Sequence, residues 1–142
     1  MKHLIIMLTL LLSSAIATAA GSYYSVDEEL ESASKMIYKQ KYKQAIEILQ
    51  QAIDSEPDNA DAWNLLGYAL RKEGNLEKSA EAYSKALSID PDHKDALEYQ
   101  GELYLMLKDN AAAQSNLDKL SSLCPEGCEQ LEMLSKAIAE RE

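Results

Sequence analysis

The sequence predicts an all-α fold, an α-solenoid in which three helix-turn-helix repeats stack and a C-terminal capping helix covers the last of them. The three prolines, Pro57, Pro91 and Pro125, follow one another at equal intervals. Small and large apolar residues recur at the same interval, and within each interval they stand three and four positions apart. A fixed period of this length indicates stacked supersecondary units, and the shorter spacing indicates amphipathic helices.

Residues 1–20 have the pattern of a cleaved secretory signal peptide. A basic start is followed by an unbroken apolar run over residues 4–12 and by small residues at Ala17 and Ala19. The apolar run is shorter than the roughly 20 residues that a membrane-spanning helix requires. We therefore expect this stretch to be removed and residues 21–25 to form a short N-terminal segment. The protein is expected to be periplasmic or secreted, without stable membrane insertion after cleavage.

Each repeat is expected to consist of two short helices. The repeats cover residues 26–59, 60–93 and 94–127, and the capping helix covers 128–142. Ser25 and Glu28 form a capping-box pattern at the start of the first helix, and Asn59 and Asp92 are expected to cap the first helices of the next two repeats. Gly74 is expected to end a helix, and Asn75 is expected to cap the helix that follows. Each proline follows the second helix of a repeat and blocks its continuation, because proline lacks an amide donor.

The C-terminal tail has the pattern of a capping helix. Leu131, Leu134 and Ile138 form one apolar stripe, and charged residues occupy the other faces. A stack of repeats needs such an element, because its last unit would otherwise expose an apolar face.

The middle unit, "ADAWNLLGYALRKEGNLEKSAEAYSKALSIDPDH", closely resembles the tetratricopeptide repeat. The residues that carry the resemblance stand in the family's order: Trp63, Leu66, Gly67, Ser79, Tyr83, Ala86 and Pro91. The flanking units keep part of this pattern, although Glu29 and Ser32 stand where the first unit should have a large apolar pair. Gly67 and Gly101 are expected to let each first helix approach the second helix of its own repeat.

The resemblance implies a concave face that is lined by the first helix of each repeat. The residues at its groove positions are Glu31, Ser34, Tyr38, Leu65, Tyr68, Arg71, Lys72, Tyr99, Glu102 and Met106, with Asp61 and Glu98 nearby. Many members of the family hold a peptide's C-terminal carboxylate here with lysine, arginine and asparagine. Carboxylates and tyrosines occupy most of these positions in this chain, so that capture of a C-terminal carboxylate is not expected.

These features predict a non-enzymatic protein–protein interaction scaffold or adaptor. Tyrosine and aliphatic surface rimmed by carboxylates suits a helix or extended peptide that carries basic and apolar residues. One alternative is that the tyrosines only pack between adjacent helices. Another is self-association through the first repeat, whose apolar face is interrupted by Glu29 and Ser32.

Composition and charge argue against other functions. The formal net charge of −10 disfavours nucleic acid and anionic membranes as partners. Beyond the signal peptide the chain has one histidine, His93, which we expect to be a solvated residue of the turn "DPDHKD". No glycine-rich phosphate loop, HExxH motif or paired Cys/His metal spacing occurs in the sequence. We therefore expect no enzymatic activity, no cofactor and no metal site.

The two cysteines, Cys124 and Cys128, flank Pro125 in the turn before the capping helix. In an oxidising compartment a disulfide across this turn is expected, and it would hold the capping helix in place. The alternatives are a thiol-redox or copper(I) carrier that uses the cysteine pair, or two free thiols. No third soft ligand is expected nearby, because Met133 is assigned to the core.

Overall fold

The computed structural model of the protein describes residues 25–141, which form seven α-helices and no strand. The helices are α1 (Val26–Tyr38), α2 (Tyr42–Ser55), α3 (Ala60–Lys72), α4 (Leu76–Ile89), α5 (Lys94–Met106), α6 (Asn110–Leu123) and α7 (Glu129–Ala139). The predicted all-α fold is confirmed. The predicted signal peptide and nearly all of the predicted segment at 21–25 lie outside the described residues. Within the described range, none of the helices is long and apolar enough to cross a membrane.

The helices pair into three hairpins that stack side by side. Helix α1 packs against α2, α3 against α4 and α5 against α6, and the second helix of each hairpin contacts the first helix of the next. The first helices also form a row of their own, since α3 contacts both α1 and α5. Helix α7 extends this row by packing against α5 and α6. The predicted solenoid of three helix pairs and a capping helix is therefore confirmed.

Two clusters of buried apolar side chains hold the stack together. The first lies among α1 to α4 and contains Leu49 and Leu66, and the second lies among α5 to α7 and contains Leu120 and Leu134. Leu87 of α4 packs against the second cluster and so links it to the preceding hairpin. Burial of this apolar surface is the main favourable contribution to folding.

Two glycines mark places where helices approach closely. A β-carbon on Gly67 would lie 2.7 Å from ring atoms of Tyr83 on α4, and the carbonyl of Gly67 accepts a hydrogen bond of 2.7 Å from the Ser79 hydroxyl. This is the expected contact between the two helices of one repeat. A β-carbon on Gly101 would instead lie 2.6 Å from Leu134 on α7. The expectation that Gly101 admits α6 is therefore wrong, because the capping helix fills the space beside it.

The helix starts follow the expected caps in three cases, one of which is Asn75, whose side chain accepts a hydrogen bond of 3.3 Å from the amide of Lys78. The Ser25 hydroxyl accepts a hydrogen bond of 3.4 Å from the amide of Glu28, and the Glu28 carboxylate accepts one of 2.9 Å from the amide of Ser25. The side chain of Asn59 accepts a hydrogen bond of 3.0 Å from the amide of Ala62. These arrangements satisfy amides that have no partner within the helix.

His93 caps α5, which corrects two expectations. Its Nδ1 accepts a hydrogen bond of 3.2 Å from the amide of Ala96, and its Nε2 lies 2.8 Å from Oδ1 of Asp61 on α3. Only 10% of the side chain is exposed. His93 is therefore not a solvated loop residue, and Asp92 is not the cap. The ring reaches both an orphan amide of its own helix and the preceding repeat.

A residue in the left-handed conformation joins the two helices of every hairpin. The φ angles are 57° at Gln40, 85° at Gly74 and 62° at Lys108. These positions are equally spaced and keep the interval of the prolines, but only the middle one is glycine. The sequence therefore indicated one of the three turns through its glycine, and the backbone places the other two in the same register.

Candidate functional site

The first helices and α7 border one continuous groove. One part, which we call the tyrosine end, has a volume of about 510 Å³ and is lined by Ser34, Ile37, Tyr38, Gln40, Tyr42 and Leu65. The adjoining part, which we call the acidic end, has a volume of about 490 Å³ and is lined by Arg71, Asp95, Glu98, Glu102, Glu129, Gln130 and Met133. Tyr68, Lys72 and Tyr99 line both ends and so connect them.

Aromatic rings form the middle of the groove. The ring centroids of Tyr68 on α3 and Tyr99 on α5 lie 5.0 Å apart, with an angle of 59° between the planes. Both side chains are half-buried, whereas Tyr83 behind them is fully buried. Burial, and after it the charge of Glu98, raises the pKa of Tyr99 to about 12. The middle of the groove therefore presents neutral aromatic surface at physiological pH.

Arg71 is held by groups of its own chain. Its guanidinium forms an ion pair with Glu102 on α5, and its central carbon lies 5.4 Å from the ring centroid of Tyr68 and 5.8 Å from that of Tyr99. Only 8% of the residue is exposed. Carboxylate pairing and contacts with aromatic faces both stabilise a buried guanidinium. Arg71 thus serves mainly to join α3 to α5 and is poorly placed to receive a ligand's carboxylate.

Four carboxylates line the acidic end, and they differ in their partners. Glu102 pairs with Arg71, and Oδ1 of Asp95 accepts a hydrogen bond of 2.6 Å from Nε2 of Gln130. Glu98 is only 6% exposed, and among the described residues its carboxylate forms neither an ion pair nor a side-chain hydrogen bond. Burial raises the pKa of Glu98 to about 7, and the charges of Glu102 and Asp95 add to this effect.

The structure brings together eight of the ten predicted groove residues. These are Ser34, Tyr38, Leu65, Tyr68, Arg71, Lys72, Tyr99 and Glu102. Glu31 lies elsewhere, beside Lys35 at an Nζ–Oε1 distance of 2.6 Å, where both side chains are exposed. Met106 is 41% exposed and lines neither end of the groove.

The capping helix contributes to the groove, which was not predicted from the sequence. Glu129, Gln130 and Met133 of α7 line the acidic end, and 46% of Met133 is exposed, so its assignment to the core is wrong. A signal for this was present in the sequence. Asp61, Asp95 and Glu129 repeat at the same interval as the prolines, which continues the register of the first helices into α7.

The two cysteines lie at the separation of a disulfide. Their sulfur atoms are 2.25 Å apart and their α-carbons are 5.8 Å apart. The separation that the predicted disulfide requires is therefore present. Cys128 is the residue immediately before α7, so the link acts on the helix that supplies Glu129 to the groove. Across residues 25–141 no group of three or more His, Cys, Asp or Glu side chains is arranged to hold a metal ion.

Comparison with known proteins identifies the repeats. The sequence pattern of the tetratricopeptide repeat family matches residues 37–94. A protein of Hordeum vulgare described as probable UDP-N-acetylglucosamine–peptide N-acetylglucosaminyltransferase SPINDLY is 33% identical over 91 residues, which are 64% of this chain and 9% of that protein. Since the chain spans so little of that relative, the relative's enzymatic name does not extend to it.

Solved structures show the same fold. The first TPR of Spaghetti (RPAP3), bound to the HSP90 peptide SRMEEVD, superposes with a TM-score of 0.70 at 19% identity, over 81% of this chain and 94% of that one. The TPR2AB–pHSP90 complex of yeast Sti1 superposes with a TM-score of 0.74 at 17% identity, over 82% of this chain and 46% of that one. Identities this low establish the fold alone.

Proposed function

Because this chain is a tetratricopeptide repeat protein, matched to the family over residues 37–94, we propose that it is a non-enzymatic interaction scaffold that binds a peptide or helix in its groove. The observation that carries the proposal is the groove itself, which crosses four helices and has half-buried tyrosines at its centre. Tyrosine supplies contact area with few rotors to immobilise. Two solved neighbours are complexes with HSP90 or its peptide, which supports a peptide as the kind of ligand.

The partner we propose carries basic and apolar residues. The acidic end has four carboxylates against the two cations Arg71 and Lys72, and Arg71 is already paired. The peptide SRMEEVD of the Spaghetti complex is acidic. Its charge would be repelled here, so this groove calls for a ligand of opposite sign. Apolar positions of the same ligand would lie against Tyr68, Tyr99 and Leu65 at the tyrosine end.

Selection from a random peptide library tests this proposal. Peptides enriched on the purified protein should contain lysine or arginine together with apolar residues. Tyr68→Ala and Tyr99→Ala should each weaken their binding by about tenfold, because central aromatic contacts dominate such interfaces. Met106→Ala is the matched control, since Met106 is exposed on α5 but lies outside the groove. If the tyrosine variants bound the selected peptides as tightly as the control does, the groove would not be the binding site.

The cysteine pair supports a second candidate function, a thiol-redox or copper(I) carrier. This candidate rests on the two cysteines lying together in the turn before α7, with their α-carbons 5.8 Å apart. Replacing both cysteines by serine distinguishes the two functions. A carrier loses its function completely in a folded protein, whereas a scaffold still binds its peptide, although more weakly because α7 is held less firmly.

Export and self-association complete the proposal. We propose that residues 1–20 direct the protein to the periplasm or outside the cell, and mass spectrometry of the N-terminus in the exported fraction checks this.

Self-association through the first repeat stays a prediction. Ala33 is the one residue of α1 that is fully buried, which leaves much of that helix available. Light scattering would detect the dimer.

A further inference from the structure

We propose that the acidic end of the groove binds a lysine or arginine side chain of the bound peptide, and that Glu98 is the principal ligand for this cation. This inference rests on the proposed function and deepens it. It assigns the basic residue of the partner to a defined carboxylate on α5, and it makes the capping helix part of the binding site.

Glu98 is a largely buried residue whose carboxylate lines the groove and has no partner within the described chain. The residue is 6% exposed, and in the described chain its side chain forms neither an ion pair nor a hydrogen bond. Buried acidic side chains are almost always paired, because removing a charge from water is costly. Since Glu98 lines the acidic end, a group entering the groove there can supply the missing partner.

The other carboxylates around it are already stabilised. Glu102 pairs with Arg71, and Asp95 accepts a hydrogen bond from Gln130. Asp95 and Glu129 also lie in the first turns of α5 and α7, where the helix dipole favours a negative charge. Glu98 lies beyond the first turn of α5 and has neither form of compensation. It is therefore the carboxylate that gains most from an incoming cation.

The surroundings suit an organic cation. Among the described residues the acidic side chains are not arranged to hold a metal ion. Aromatic faces that accept cations are close by, because Nζ of Lys72 already lies 5.3 Å from the ring centroid of Tyr68 and Arg71 lies over Tyr68 and Tyr99. An incoming ammonium or guanidinium would meet the carboxylate of Glu98 beside rings that already accept the chain's own cations.

Binding of a cation is expected to be coupled to loss of a proton from Glu98. In the free protein, burial and the neighbouring charges of Glu102 and Asp95 raise its pKa to about 7, and Arg71 opposes them. A cation in the groove stabilises the ionised form and lowers this pKa. Affinity should therefore rise as the pH increases from about 5.5 to 8. The charged and titratable groups that share the acidic end with Glu98 are Tyr68, Arg71 and Lys72 of α3, Asp95, Tyr99 and Glu102 of α5, and Glu129 of α7.

A pair of small probes tests the inference independently of the peptide. N-acetyl-lysine methylamide carries the proposed cation, and N-acetyl-norleucine methylamide has the same stem without the charge. Each is titrated into the purified protein while the side-chain carboxyl carbon of Glu98 is followed by NMR. The lysine probe should shift this signal and lower its pKa, and the norleucine probe should do neither. Glu98→Gln should weaken binding of the lysine probe by about tenfold and remove the pH dependence. Glu47→Gln, an exposed site of equal charge change on α2, should behave as wild type.

The outcomes separate the inference from the proposed function. An unmoved Glu98 signal, or wild-type affinity in a folded Glu98→Gln variant, overturns the assignment of the cation site. If selected peptides still require Tyr68 and Tyr99 in that case, the scaffold function stands without it. If the lysine probe binds at Glu98 but no peptide requires the tyrosines, the cation site stands and the proposed function fails.

Discussion

The carboxylate of Glu98 illustrates how a single residue can cost stability in the free protein. Its pKa is raised from 4.5 to about 7, so between these pH values the folded protein holds a proton that the unfolded chain has lost. Stability from this group is therefore full at low pH, declines as the pH rises through this window, and is absent above about 7. A bound cation would stabilise the ionised carboxylate, so above pH 7 this group favours the complex with a ligand over the free protein.

Glu98→Gln should stabilise the protein at pH 8 by about 1 kcal/mol and have little effect at pH 4.5. The expected value is small because the groove is open to water, which screens the neighbouring charges. Urea unfolding at a series of pH values measures the difference between variant and wild type. Glu47→Gln should show no such pH-dependent difference. A wild type that is more stable than Glu98→Gln at pH 8 would show that the carboxylate is compensated in the free protein.

Some groove residues could be predicted from the sequence and others could not. The resemblance to the tetratricopeptide repeat identified Tyr68, Tyr99 and Glu102, because the family's groove positions recur in the register of the repeats. It misplaced Glu31 and Met106, since a position on a helix face does not determine which neighbouring helix covers it. The partners of Arg71 could not be predicted either, because its ion pair with Glu102 joins residues 31 positions apart on different helices.

Among the helices, sequence reasoning succeeded for the architecture and failed for the detail of packing. Amphipathic spacing and the three prolines were sufficient to predict three helix pairs and a capping helix. The partner of Gly101 was not predictable from them, because the small residue only requires that some large side chain lies opposite. In the structure that side chain is Leu134 of α7.

Gly67→Ala and Gly101→Ala should therefore destabilise the protein to different extents. The new methyl group at position 67 meets ring atoms of the fully buried Tyr83, which cannot move aside, and the expected cost is about 3 kcal/mol. At position 101 it meets the terminal methyl carbons of Leu134, which is also fully buried but belongs to the capping helix, so the expected cost is about 1 kcal/mol with displacement of α7. Thermal unfolding monitored by circular dichroism gives both values. Equal losses would show that α7 is held as firmly as α4.

The link between Cys124 and Cys128 should control how well α7 is ordered. Closing a loop of this length restricts the unfolded chain and contributes about 2 kcal/mol. Replacing both cysteines by serine should lower the melting temperature and accelerate amide hydrogen exchange in α7 more than in α3. Because Glu129 and Gln130 lie in the first turn of α7, peptide affinity should fall as well. Ser121→Ala in α6 is a control outside the loop. If exchange in α7 were unchanged, the link would not hold the capping helix.

For the molecule as a whole, charge and apolar surface should govern different steps of partner binding. The formal net charge is −10, and the acidic end has more carboxylates than cations. A basic peptide should therefore be attracted over a distance comparable to the Debye length, which falls from about 10 Å at 0.1 M salt to about 3 Å at 1 M. The aromatic contacts form only after the encounter.

Stopped-flow kinetics with a basic peptide selected on the protein should separate these steps. Raising the salt concentration from about 0.05 to about 0.5 M should slow association by about tenfold while dissociation changes little, because exposed charges act mainly on the encounter. Tyr68→Ala should have the opposite signature, with faster dissociation and nearly unchanged association. The Met106→Ala variant should match wild type in both rates. Association that did not depend on salt would mean that the negative charge of the chain plays no part in choosing its partner.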